Sequence, residues 1–139
     1  MNPRNYGDFT MFIRRMTERI DYSSGQDALK EIKNCKKETH WMWYVFPQLK
    51  GLGHSEMSNY YGLYDINEAK LYINHPITGK FLIKITKLVH QCLQHKTVGQ
   101  IFGSIDKHKF QSCMELFYHA TLHTRNNKLF KDCLYVSKQ

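Results

Sequence analysis

The chain is short of acid, short of proline and without any long apolar run. Twelve Asp and Glu stand against twenty Lys and Arg, a formal charge of +8. That imbalance favours anionic partners such as nucleotides, nucleic acids or acidic surfaces. The basic residues are spread out, however, with no run longer than Arg14-Arg15 or Lys36-Lys37, as on a generally solvated surface. No hydrophobic stretch approaches the roughly 20 residues of a membrane span, and Met1-Asn2-Pro3-Arg4-Asn5-Tyr6 lacks the apolar core of a secretory signal. These absences predict a cytoplasmic protein with no membrane partner. Cysteine is sparse, and Cys35, Cys92, Cys113 and Cys133 contain no C-x-x-C pair. With nothing else to suggest a secreted scaffold, reduced thiols are expected, three of them on apolar helix positions where cysteine acts as a small hydrophobe.

What remains is enough to fold. With 139 residues, 42% of them hydrophobic and 14% aromatic, the chain suits one domain with one core and is not of disordered composition. Apolar residues recur at helical spacing nearly throughout. Phe9, Phe12, Ile13, Met16 and Ile20 predict a helix over 8–20. Ser24 and Asp27 read as a cap for a second, with Ala28, Leu29, Ile32 and Cys35 inward. Asp65 and Glu68 repeat that spacing before Ala69, Tyr72 and Ile73, and His75-Pro76 should end the helix they open. The clearest stripe is Ile77, Phe81, Ile85, Leu88 and Cys92, flanked by Leu82, Val89 and Leu93. After a connector over 97–103, Asp106 is expected to cap a helix burying Phe110, Cys113, Met114, Phe117 and Leu122. A last helix carries Leu129, Phe130, Cys133 and Leu134. No alternating strand pattern longer than Tyr44-Val45-Phe46 occurs. The expected fold is all-α, a single compact domain of about six helices.

Both tryptophans lie in the one segment that breaks this rhythm, His40-Trp-Met-Trp-Tyr-Val-Phe-Pro-Gln-Leu-Lys-Gly-Leu-Gly-His-Ser55. Tryptophan buries a large area while its indole N–H asks for an acceptor. Gly51 and Gly53 let backbone approach a ligand closely and can present amides to an anion. Ser55, before a helix, adds a hydroxyl at a favourable dipole end. An ordered aromatic loop packed as core, or one lining a ligand site, both satisfy the pattern. A second constellation, Gly103-Ser-Ile-Asp-Lys-His-Lys-Phe-Gln-Ser112, places Asp106, Lys109 and Ser112 where an anion or a proton transfer would use them.

Other groupings say less. Glu115, His119 and His123 share a helical face, yet no third strong ligand accompanies the histidines, so a surface pair is expected and no metal site. Lys80, Lys84 and Lys87 form a basic face opposite a core stripe. With Lys33, Lys36 and Lys37, and with Tyr60, Tyr61, Tyr64 and Tyr72 as stacking platforms, they supply an alternative reading as a nucleic-acid- or protein-binding module.

The His40–Ser55 run resembles the signature of the domain-of-unknown-function family 1810. The likeness continues through Tyr61-Gly62, Glu68-Ala69, His75-Pro76 and Gly79. It resumes at Ile101-Phe-Gly103, Asp106, Lys109 and Ser112, with Met114, Leu116 and Phe117. The resemblance implies an all-α domain and carries no established activity, so no catalytic assignment transfers with it. Ser112-Cys-Met-Glu-Leu-Phe117 departs from the family's Ser-Ser-Met-Thr-Leu-Phe. The family's Gly-Asp and Thr-Leu ending is not matched around Tyr135-Val-Ser-Lys-Gln139. The resulting expectation is a pocket between the His40–Ser55 loop and the Asp106–Ser112 helix start that takes a small anionic, nucleotide-like ligand. Trp41, Trp43, Gln48, Gly51, Gly53, Ser55, Lys109 and Ser112 would line it. If there is chemistry, His40 and Asp106 are the candidates for proton transfer; no particular cofactor is indicated.

Overall fold

A computed structural model describes residues 6–22, 24–52 and 56–139 of the chain. Their regular elements are all helices: α1 (Tyr6–Tyr22), α2 (Ser24–Lys33), α3 (Met42–Val45), α4 (Glu56–Tyr60), α5 (Ile66–Asn74), α6 (Thr78–Cys92), α7 (Val98–Ala120) and α8 (Asn127–Ser137). The all-α expectation holds. The helix count exceeds the expected one partly because α3, only four residues long, winds inside the tryptophan segment, where no periodicity could announce it.

Spacing decides which face each helix buries. Phe12, Ile13, Met16 and Ile20 of α1 are all buried, as are Ala28, Leu29 and Ile32 of α2. Ser24 is not the expected cap, because α2 already includes it and it is buried. The reason is crowding between the helices: a Cβ on Gly25 would lie 2.2 Å from the Ile20 carbonyl oxygen, so α2 starts pressed against the end of α1. α5 begins as expected. The Asp65 carboxylate accepts the Glu68 N–H at 2.9 Å, and Glu68 Oε1 accepts the Tyr64 N–H at 3.0 Å. His75 is extended ahead of Pro76 and closes α5. In α6, Phe81, Leu82, Ile85, Val89 and Cys92 face the core. Ile77, expected with them, is the N-cap ahead of the helix and is exposed.

α7 corrects the expectation most. The stretch expected as a connector is its first turn, where Thr97 Oγ1 accepts the Gln100 N–H at 3.1 Å and Gln100 Oε1 accepts the Thr97 N–H at 2.9 Å. The break comes at Gly103, with φ 88° and ψ 171°, a backbone region essentially reserved for glycine. Helix resumes at Ser104, so Asp106 is the third residue of a restarted helix and not an N-cap. Phe110, Cys113, Met114 and Phe117 are buried as expected, whereas Leu122 lies beyond the end of α7 and is exposed.

α7 packs on α5 and α8, and α6 on α2, α5 and α8. Where α3 meets α7, the Phe46 ring stands 5.7 Å from Phe102, 5.1 Å from Phe110 and 6.2 Å from Trp41. The only bridge between extended segments among the described residues is isolated, Leu49 with Leu63. No described helix is long and apolar enough to cross a membrane.

The thiols divide. Cys35 and Cys92 form a disulfide with a Cα–Cα distance of 5.5 Å, correcting the expectation that all were reduced. They are 57 residues apart in sequence, and only the packing of α2 on α6 brings the two helix ends together. Cys113 and Cys133 are free and buried. Burial pushes the Cys133 thiol up to about 12 and Cys113 well above the ordinary thiol range, which leaves neither as a nucleophile.

Candidate functional site

A cavity of about 380 Å³ opens between the segment 37–43 and the Gly103 break of α7. Lys37, His40, Trp41, Met42 and Trp43 form one wall; Phe102, Gly103, Ser104, Ile105, Asp106 and Lys109 form the other. The two walls are joined at the base by the Lys37 N–H, which donates to the Ile101 carbonyl at 2.8 Å.

Asp106 is the centre of its electrostatics. Its Oδ2 lies 2.9 Å from Lys37 Nζ and its Oδ1 3.6 Å from Lys109 Nζ. Each of these ammonium groups also sits over an indole: Lys37 is 5.2 Å from the Trp41 ring centre, and Lys109 is 4.6 Å from that of Trp43. The result is a chain of alternating character: indole, cation, carboxylate, cation, indole. One carboxylate faces two cations, so the arrangement keeps a surplus positive charge. The Lys37 side chain is only 8% exposed, which strengthens its interactions over those of a surface lysine.

The two tryptophans differ. Trp41 is 1% exposed, and its indole N–H donates to Glu31 Oε1 at 3.0 Å. Glu31 also accepts the Thr39 hydroxyl and the N–H groups of Glu38 and Thr39. Partial burial pushes the Glu31 carboxyl up, but these hydrogen bonds outweigh it and hold the group below the usual carboxylate range. Trp41 is thus a fixed wall. Trp43 is half-buried, and its buried Nε1 has no acceptor among the described residues. A buried donor without a partner is costly.

Of the residues expected to line a pocket, His40, Trp41, Trp43, Asp106 and Lys109 meet around this cavity. Gln48 lines a small adjoining cleft with Trp43 and Tyr61. Gly51, at φ 89°, is exposed and donates its N–H to Asn59 Oδ1 at 3.1 Å, so it serves its own turn and not the cavity. Gly53 and Ser55, with the cap expected of Ser55, lie outside the described residues. Ser112 is on another face of α7, lining a second cavity of about 370 Å³ with Leu49, Leu52, Ile66 and Leu116. The cause is helix geometry: at about 3.6 residues per turn, a residue six positions after Asp106 points away from it, while Lys109, three positions on, stays alongside. Glu115 and His119 share that second cavity, and His123, with φ 67°, lies past the end of α7. Lys80, Lys84 and Lys87 are exposed on α6, opposite its buried stripe. Reading the sequence missed Lys37, Ser104 and Ile105. Lys37 was read as part of a solvated basic face, though its place three residues before the tryptophan segment was a usable signal.

Fold and cavity together define an all-α protein with a basic, tryptophan-walled pocket. A family model described as "Protein of unknown function (DUF1810)" matches residues 8–137; the chain belongs to this family, as its His40–Ser55 signature implied. No curated protein matches it. It is similar to the crystal structure of the conserved hypothetical protein Rv1873 from Mycobacterium tuberculosis, with 34% identity over 92% of this chain and 85% of that one and a TM-score of 0.79.

Proposed function

We propose that the cavity binds a small anionic ligand bearing a planar ring, nucleotide-like in its chemistry. The observation that carries this reading is the single Asp106 carboxylate shared by Lys37 and Lys109 against two indoles, which leaves a positive surplus beside aromatic surface. The volume suits a small molecule. In this reading Lys109, the more exposed of the two lysines, swings from Asp106 to the ligand's anionic group. Lys37, nearly buried, stays with Asp106 and holds it in place. Trp43 offers its half-buried ring and, with the 73% exposed Ile105, an apolar rim for the ring. Trp41 is too enclosed to stack on a ligand. If the ligand is turned over, His40 at the exposed rim is better placed to carry a proton than Asp106, whose two oxygens are both engaged by ammonium groups.

A thermal-shift panel of mononucleotides, dinucleotides and simple phosphates tests the proposal. A binder at 100 times its Kd stabilises by about 2.7 kcal/mol. Trp43→Ala and Lys109→Ala are expected to abolish that stabilisation, while reversing the charges of Lys80, Lys84 and Lys87 leaves it intact. A panel with no shift, alongside RNA or DNA binding that falls steeply with salt and is lost on reversing those three charges, would sink the pocket and favour the basic helix face.

A further inference from the structure

We infer that the Cys35–Cys92 disulfide is a reversible thiol–disulfide exchange site for low-molecular-weight thiols, and that its state sets how the two walls of the cavity are held. This does not rest on the identity of any ligand.

The position of Cys35 is the first reason. Its N–H bonds to the Ile32 carbonyl at 2.8 Å, and the Lys36 N–H to that of Glu31 at 3.1 Å, the paired pattern of a helix end that closes through a left-handed residue. Cys35 is that residue, with φ 56°. Glycine is favoured there, so the backbone gives no reason for cysteine; the side chain does.

Its surroundings are the second reason. Cys35 is partly exposed, whereas Cys92 is buried, so an external thiolate reaches the crosslink from the Cys35 side. His95 Nε2 lies 3.9 Å from Cys35 Sγ, and Lys96 Nζ donates to the Cys35 carbonyl at 3.2 Å. A sulfur beside an imidazole is suited to exchange, because a cationic neighbour stabilises its thiolate when that sulfur leaves. A first thiolate attacks Cys35 Sγ, forming a mixed disulfide and expelling the Cys92 thiolate, which takes a proton. A second thiolate attacks the outer sulfur of that mixed disulfide, releasing the small-molecule disulfide and the Cys35 thiolate, with His95 positioned to protonate it. Two small thiols are oxidised to one disulfide, and the protein crosslink is reduced to two thiols. The same small-molecule disulfide, in excess, reverses both steps.

The third reason is where the cavity walls start relative to each cysteine. Lys37 and the wall through Trp43 begin two residues after Cys35. The other wall, from Phe102 to Lys109, comes after Cys92 through the Thr97 cap. The crosslink therefore staples the roots of both walls, in parallel with the Lys37–Ile101 hydrogen bond and the Lys37–Asp106 ion pair. Opening it leaves the walls held by those two ties, by Lys109 over the Trp43 ring and by the Phe46 ring against Phe102 and Phe110.

The test uses the intact chain, with reduced glutathione as the probe. After native incubation and removal of the thiol, alkylation in denaturant is read by intact mass. The expected count rises from two alkylated cysteines, Cys113 and Cys133, to four, faster than the protein unfolds globally. Cys92→Ser, treated instead with oxidised glutathione, should accumulate a glutathione adduct on Cys35 with release of one reduced glutathione, and His95→Gln should slow exchange several-fold. Both tryptophans line the cavity, so their emission should change in step with the thiol count. The double variant Cys35→Ser/Cys92→Ser should show no such response to glutathione. A crosslink that opens only at the rate of global unfolding would make the disulfide purely structural and overturn the inference. Reduction without any change in tryptophan emission would overturn its link to the cavity.

Discussion

Lys37 Nζ lies 2.9 Å from Asp106 Oδ2, with the Lys37 side chain only 8% exposed. This contact joins the turn after α2 to the restarted half of α7, and it sets the charge of the cavity between them. Removing one partner of a buried pair costs more than removing both. Asp106→Asn is expected to lower stability by about 2–4 kcal/mol, because Lys37 keeps its charge without a counter-ion. Lys37→Met combined with Asp106→Leu should recover more than half of that loss. Urea denaturation of Lys37→Met, of Asp106→Leu and of the double variant measures the coupling, and strictly additive costs would show that the contact is not an energetic pair.

The two glycines flanking the start of α7 should behave oppositely. Gly103 holds φ 88° with open space where a Cβ would go, so the obstacle to a side chain there is backbone conformation alone. Gly103→Ala is expected to cost about 1–3 kcal/mol. Gly99 has ordinary backbone, and an added Cβ would meet only ordinary contacts at 3.9 and 4.0 Å. Gly99→Ala should be neutral or stabilise by up to about 1 kcal/mol. Melting curves of the two variants decide the matter; equal effects would mean that the Gly103 break is not required.

Glu31 ties the pH response to the tryptophan wall. Its hydrogen bonds hold its folded-state pKa below the usual value of 4.5, so the unfolded chain binds a proton there more readily. The stabilisation is complete above about pH 4.5 and is lost as pH falls through the lower, folded-state pKa. Stability should therefore decline in that acid window, and the gap between wild type and Glu31→Gln should narrow as pH falls. Urea midpoints between pH 3 and 7 measure both. A gap that stays constant with pH would show that the carboxylate charge is not what holds Trp41.

Much of the architecture was legible residue by residue. The stripes of α1, α6 and α7 were read from spacing, and the Asp65–Glu68 cap from residue type. Errors came where an element began or ended. Ser24 was absorbed into α2 by a close helix–helix contact, Ile77 fell ahead of α6, and Leu122 fell past α7. In each case the residue has the right character but the helix boundary falls elsewhere. Five of the expected site residues converge, and Ser112 does not, because the expected loop and helix were treated as a region and not as faces.

Local interactions belong to the sequence: helical spacing, capping boxes and the left-handed tolerance of glycine all act within a few residues, so the all-α fold and the family signature could be read from it directly. Three things needed the tertiary structure. The pairing of Cys35 with Cys92 depends on which helix ends meet. The engagement of Asp106 by Lys37 depends on the same packing, together with a single backbone rotation at Gly103. The contrast between Trp41, satisfied by Glu31, and Trp43, without an acceptor among the described residues, depends on what each indole finds across the fold. No periodicity encodes such long-range partners, because they come from how the helices stack and not from how each one forms.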